Sequence, residues 1–421
     1  MTILLQGVLL NGEQKDIFIE GNRIQAIGDR LAPTADTVIA GHGKAAVPSF
    51  ANGHTHAAMT LLRGYADDMP LKQWLETKIW PVEAHMTEED IYWGTKLACL
   101  EMIKSGTTFF NDMYWHWSGT ARAVQEMGIR AAISAVFIDL GDAKKTREQI
   151  ALNEALYAAR EKFGSRVTFA LGPHAIYTVS EEALRWCAAF ARDKGLLIHV
   201  HLAETEEEVS RCLETHGVRP ARYLEQIGFL GPQVIACHCC WLNEEDITIL
   251  KANDVRVVHN PTSNMKLAVG RVFPYRELHA RGVITALGTD GCASNNNLDM
   301  LETAKLASLL QKFHTGDPVV MPAAEALEML TAQGARAFGL ESGCLEPGRW
   351  ADIALVDLNT PTLTPNFHLA SDLIYAAAGS AVDTVICDGK ILMQGRRVTG
   401  EEEIMAKARE AAFALVRRAG A

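Results

Sequence analysis

No stretch of this chain is basic with interleaved aromatics, none approaches the length of a membrane span, and no two cysteines form a CxxC pair. The first absence, with a net charge of -11, argues against a nucleic-acid or anionic-membrane partner. The second leaves no transmembrane helix to place. The nine cysteines, an odd number scattered from Cys99 to Cys387, read as reduced, buried thiols rather than a disulfide framework. The opening segment MTILLQGVLLNGEQKD lacks a charged leading region, and its apolar stretch is too short for a signal peptide. A cytoplasmic location is the expectation. There is no internal repeat, no low-complexity tract and no glycine-rich phosphate loop after the first strand of the central region.

What is present is apolar chain in quantity. Of 421 residues, 48% are hydrophobic, enough for a sizeable core and too many for disorder. Residues 1 to about 47 read as short strands with turns at Asn11-Gly12 and Gly21-Asn22, and residues 345 to about 400 read alike. The two ends are expected to meet as one small β-sandwich domain, 1–47 with 345–421, the latter carrying a C-terminal helix. Between them strand candidates alternate with helical stretches: Ala46–Asn52, Thr107–Met113, Arg130–Ile138, Val167–Gly172, Leu196–Leu202, Val234–Cys240, Val255–Asn260 and Ile284–Leu287. Glu181–Lys194 shows both helix punctuations, Ser180 as N-cap and Gly195 as C-cap. Eight such units predict a (β/α)8 TIM barrel over 48–344, in preference to an open doubly wound sheet.

Barrel chemistry sits at the C-terminal ends of the strands, so polar residues there are informative. His54 and His56 stand one residue apart at the end of the first strand, which puts both on one face. His199 and His201 repeat the spacing on the fifth, with Glu204 close behind. His238 ends the sixth, and Asp290 ends the eighth in LGTDG. His54, His56, His201 and Asp290 are the expected metal ligands, three imidazoles and a carboxylate with a position left for water. A metal there lowers the pKa of water from 15.7 toward about 7. Glu204 is the expected proton shuttle. The acids after it, Glu206, Glu207 and Glu208, read as a solvated helix start. His238 is either a further ligand or a group that holds the attacking hydroxide, and His199 is expected deeper in the barrel.

With those residues in view, the chain resembles the amidohydrolase superfamily, and within it the 5'-methylthioadenosine/S-adenosylhomocysteine deaminases. The matching segments are NGHTHAAMTLLRGYADDMPLKQWL, EMIKSGTTFFNDMY, LGPHAIYTVS, HVHLAET, HNPTSNMKLAVG, LGTDGCASNNNLDM and GRWADIALVD. The resemblance implies one zinc per chain on His54, His56, His201 and Asp290, with iron or manganese as alternatives. It implies catalytic roles for Glu204, His238 and Asp290, with Glu204 and Asp290 also touching substrate. It adds Glu83 as a partner of ribose hydroxyls and His174 as a donor to a purine ring. The implied activity is hydrolytic deamination of 5'-methylthioadenosine, 5'-deoxyadenosine or adenosine to inosine-type products, and the implied partner is a small purine nucleoside. A homo-oligomer is the expected assembly.

One position departs from that pattern. Where relatives that take S-adenosylhomocysteine place an arginine for the homocysteine carboxylate, this chain has Ala135, and Arg147 is the only substitute in view. S-Adenosylhomocysteine is therefore the less favoured substrate. The competing readings are an aminohydrolase or chlorohydrolase of guanine, a pterin or an s-triazine, which would not need Glu83, and a non-catalytic metal scaffold, which should have lost one of Glu204, His238 or Asp290. A binuclear amide hydrolase would need a lysine where His174 stands.

Overall fold

The computed structural model describes residues 1–420. Asn11 and Gly12 both take positive φ, 51° and 85°, as a two-residue hairpin requires. They join β1 (Thr2–Leu10) to β2 (Glu13–Glu20), and β3 (Arg23–Gly28), β4 (Thr37–Ala40) and β5 (Lys44–Pro48) follow. The barrel strands are β6 (Phe50–Thr55), β7 (Thr107–Tyr114), β8 (Arg130–Phe137), β9 (Val167–Pro173), β10 (Ile198–Leu202), β11 (Val234–His238), β12 (Arg256–His259) and β13 (Thr285–Leu287). The chain returns through β14 (Ile353–Asp357), β15 (Val382–Cys387) and β16 (Lys390–Met393).

Strands β6 to β13 are parallel neighbours in sequence order, and β13 lies against β6 to bring the ring nearly closed. Parallel strands covered by helices are buried on both faces, so β7 and β8 are buried at every position. The Asp290 amide donates to the His54 carbonyl at 2.9 Å, tying the end of the eighth strand to the first. That closure leaves little room. A Cβ at Gly53 would stand 3.0 Å from the Leu287 carbonyl oxygen, and one at Gly288 would stand 2.8 Å from the His54 amide nitrogen.

The other eight strands form a separate sheet from both chain ends, ordered β16-β15-β14-β5-β1-β2-β3 with β4 on β1. It folds over its own core, where Ile17, Ile19 and Ile24 from one arm join Ile353, Leu355 and Ile386 from the other. The C-terminal helix Glu401–Arg418, however, packs on the barrel helix Glu88–Lys104 rather than on the end sheet. Lys104 holds Glu401 at 2.9 Å there.

The expected first strand, Ala46–Asn52, proves to be two. Its first half belongs to β5 in the end sheet and its second to β6 in the barrel, with the crossing at Ser49. The Ser49 amide donates to Asp352 and the Phe50 amide to Gly106, so consecutive residues pair with different sheets. The helix Glu181–Lys194 has the expected bounds, with Ser180 accepting from the Ala183 amide and Gly195 at φ 64°. All nine cysteines are free, and eight are buried. No helix among the described residues is long and apolar enough to cross a membrane.

Candidate active site

Three strand ends, of β6, β10 and β13, deliver the expected ligand set to one place. Ring nitrogens of His54, His56 and His201 lie within 4.8 Å of one another, and so do those of His54 and His238 with the Asp290 carboxylate. Nε2 of His54 and Nε2 of His56 each stand 3.3 Å from Asp290 Oδ1. The other ring nitrogen of each histidine is engaged away from this centre. His56 Nδ1 donates to the Met113 carbonyl at 2.6 Å, and His201 Nδ1 donates to the His174 carbonyl at 2.8 Å. His54 Nδ1 meets His199 Nε2 at 2.6 Å. Fixing Nδ1 in this way turns each Nε2 lone pair inward. His54 Nε2 is buried and has no hydrogen-bonding partner. Neutral imidazoles and one carboxylate at this spacing fit a divalent transition metal.

The electrostatics agree with that donor set. Burial pushes His54 down to about 4 and holds His201 well below the usual histidine range, so both imidazoles are neutral. Burial alone would raise Asp290, but His54, His56 and His238 around it hold it well below the usual carboxylate range. Asp290 also accepts from Ser263 Oγ at 2.6 Å and from the Gly291 amide at 2.7 Å.

Glu204 and His238 face the same centre. His238 Nδ1 contacts Asn264 Oδ1 at 2.9 Å and lies 3.6 Å from Glu204 Oε1. Burial would lower His238, yet the Glu204 and Asp290 carboxylates hold it above its ordinary value. Burial raises Glu204, partly offset by His238. Three residues at these strand ends, Ala203, His238 and Asp290, take φ of 48°, 71° and 64° without being glycine. Such conformations cost on the order of 1–3 kcal/mol each and cluster at functional sites. Here they re-aim the chain as it leaves the barrel.

Glu208 departs from the expectation of a solvated helix start. Glu206 and Glu207 are exposed, but Glu208 is buried and accepts from the Ala203 amide at 2.8 Å and the Glu204 amide at 2.9 Å. Burial raises it to about 7. It reaches back from the helix to fix the turn that presents Glu204.

The cleft over this centre is lined by Glu83, His174, Tyr177 and Glu204 together with Trp74 and Trp80. Glu83 is buried on the short helix Trp80–Glu83, where it accepts from Tyr114 Oη at 2.6 Å and Trp115 Nε1 at 3.3 Å. His174 is half-buried with Nδ1 2.9 Å from Thr178 Oγ1. Burial and the nearby histidines press His174 to about 3, so it is neutral. A second, apolar chamber shares the wall of Trp80, Glu83, Tyr114 and Trp115. It continues past Ala135 to Leu152 and Leu156. Among the described residues no lysine or arginine lines either space, and Arg147 is exposed outside both.

A sequence model of the amidohydrolase family matches residues 45–392. The chain belongs to the amidohydrolase family. This amidohydrolase is 52% identical over 410 residues to a protein named 5'-deoxyadenosine deaminase from Methanoregula boonei, covering 96% of this chain and 93% of that one. It is 48% identical over 400 residues to a protein named 5-methylthioadenosine/S-adenosylhomocysteine deaminase 1 from Archaeoglobus fulgidus, covering 94% of each. A solved adenosine deaminase from Xanthomonas campestris with bound zinc superposes with a TM-score of 0.92 at 33% identity, covering 98% of each chain.

Four contributors to this amidohydrolase site escaped the reading of the chain. They are Ser263 and Asn264, which hold Asp290 and His238, Glu208, and Asp112. Asp112 accepts from Thr55 Oγ1 at 2.9 Å and the Ala57 amide at 2.7 Å, which fixes the turn carrying His56. The first two lie inside the HNPTSN segment, whose position just after a strand end was the available signal.

Proposed function

We propose that this amidohydrolase hydrolyses adenosine-type nucleosides to inosine-type nucleosides and ammonia, with one zinc ion held by His54, His56, His201 and Asp290. The observation that carries the reading is a single cleft with two buried carboxylates besides Asp290. Glu204 stands beside His238 and Asp290 at its floor, and Glu83 stands on its wall with lone pairs free for ribose hydroxyls. The names of relatives about half identical over nearly the whole chain support the same activity.

The residues divide the work. The bound metal supplies acidification of the attacking water, toward a pKa of about 7. Glu204 takes one proton from that water and delivers it to N1 of the adenine ring as oxygen adds at C6. Asp290 takes the second, which goes to the leaving amine, and ammonia departs. His238, held by Asn264, orients the attacking oxygen. His174, whose Nδ1 contacts Thr178 Oγ1 at 2.9 Å, donates to the purine through Nε2–H. Glu83 accepts from the ribose hydroxyls. General acid–base transfers of this kind are worth roughly 10²–10⁴-fold in rate.

The apolar chamber beyond Glu83 takes the 5' substituent. With no cation on its walls it favours uncharged groups, so 5'-deoxyadenosine, 5'-methylthioadenosine and adenosine rank above S-adenosylhomocysteine. A homo-oligomer belongs to this reading. Exposed Phe313, Val319 and Phe367 offer apolar surface for it, and light scattering checks it. Ammonia release by the metal-loaded protein from a panel of nucleosides and free bases tests the activity.

A further inference from the structure

His199 is fully buried in the barrel, one layer beneath the metal-facing histidines. Strand alternation puts it on the same inward face as His201, two residues on. It cannot reach the centre as a ligand beside His201, because its Nε2 is spent on His54 Nδ1 at 2.6 Å. Its other nitrogen, Nδ1, is buried near the Asp112 main-chain carbonyl but makes no well-formed hydrogen bond. A buried unpaired polar atom costs about 1–3 kcal/mol, and an aliphatic side chain there would avoid it. The position keeps an imidazole nonetheless.

Comparison of the three ligand histidines explains why. His56 and His201 give their Nδ1 protons to main-chain carbonyls, of Met113 and His174. Around His54 Nδ1 the acceptor is a side chain, supplied by a strand 145 residues away in sequence. Without it the His54 ring could flip or carry its proton on Nε2, and in either case its lone pair would leave the metal.

We propose that His199 is a positioning residue. Its Nε2 accepts the His54 Nδ1 proton, which fixes the tautomer and ring plane of His54 and thereby sets metal affinity. The bond places the proton on His54 Nδ1 and leaves the lone pair of Nε2 pointed at Asp290. It makes His54 the one histidine of the set whose orientation depends on another side chain. Partners of this kind are typically worth 10–100-fold in metal affinity.

The test uses the full-length protein, demetallated and titrated with zinc against a chromophoric chelator. His199→Gln keeps an oxygen acceptor at similar reach. His199→Met matches it in length but offers only a weak sulfur acceptor. Thermal unfolding of the metal-free forms checks folding. The expected result is zinc affinity within a few-fold of wild type for Gln and about 10–100-fold weaker for Met, with both metal-free proteins unfolding near the wild-type temperature. Equal affinity in all three proteins overturns the proposal. So does equal loss in both variants, or failure of both to fold, since each marks a packing role. A second zinc ion held through His199 and Cys237, whose thiol lies within 4.8 Å of ring nitrogens of His54 and His199, also overturns it. The proposal rests on the metal reading of the site but not on the substrate. Wild-type protein that takes up no zinc fails the former alone, and absence of deamination leaves the affinity comparison intact.

Discussion

Replacing Glu83 by alanine probes the ribose end of the cleft. In the folded chain Tyr114 Oη occupies one lone pair on Oε1 at 2.6 Å, and Trp115 Nε1 one on Oε2 at 3.3 Å. Each oxygen keeps acceptor capacity toward the cleft. A hydrogen bond to a charged acceptor is worth about 1.5–3 kcal/mol. Losing one ribose contact should therefore lower kcat/KM for 5'-deoxyadenosine about 10- to 150-fold, at about 1.4 kcal/mol per factor of ten. Metal content should not change, because Glu83 contacts none of the proposed ligands. Glu83→Gln keeps the shape and one carbonyl acceptor, and should fall between wild type and alanine. Tyr114→Phe should reproduce part of the loss by freeing the carboxylate to wander. Steady-state kinetics on the nucleoside, set beside inhibition constants for inosine and hypoxanthine, reads the effect. Inosine should weaken in Glu83→Ala while hypoxanthine is nearly unaffected. Equal weakening of both would refute a ribose contact and make Glu83 a structural acid.

The remaining predictions concern the floor of the cleft and its 5' end. Glu204→Gln should retain metal and fold while kcat falls roughly 10²–10⁴-fold, because an amide cannot carry the proton; near-normal turnover in metal-replete mutant would assign the shuttle elsewhere. kcat/KM should be lower for S-adenosylhomocysteine than for 5'-methylthioadenosine by about tenfold or more, since the homocysteine carboxylate meets no cation. Ala135→Arg should narrow that gap, and a wild-type preference for S-adenosylhomocysteine would contradict the reading of the chamber. Glu208→Ala should lower the unfolding temperature and slow turnover together, because the Ala203 and Glu204 amides lose their acceptor at about 1–3 kcal/mol each. Burial raises Glu208 to about 7 from 4.5. The stability it confers is therefore complete below about 4.5 and is lost as pH rises through about 7, a dependence that Glu208→Gln should flatten in pH-dependent unfolding.

The barrel was legible because each strand is a short apolar run that ends in a polar residue, and those polar ends are where the proposed ligands sit. The join at Ser49 was not. Strands β5 and β6 are both apolar, so hydropathy runs unbroken through a point where the backbone changes sheets. The convergence of the proposed ligands was readable from residue type and place, whereas their supports were not. His199 meets His54 across 145 residues of sequence, and Asn264 meets His238 across 26. Such pairs follow from strand stagger, which one chain's pattern does not encode. Glu208 misled for a related reason. In a run of three acids at a helix start the solvated reading is the ordinary one, and only the tertiary fold turns the third inward to the Ala203 and Glu204 amides. The burial of Glu83 likewise comes from Tyr114 and Trp115 on a neighbouring strand end.

The most direct measurement is ammonia release by protein stripped with a chelator and then restored with one equivalent of zinc. Substrates would be 5'-deoxyadenosine, 5'-methylthioadenosine, adenosine, adenine, guanine and an s-triazine. Stoichiometric ammonia and inosine-type product from the nucleosides, absent without metal and restored by one ion per chain, is the result this account predicts. Turnover of guanine or the triazine with none of the nucleosides, or full nucleoside turnover in the stripped protein, would contradict it.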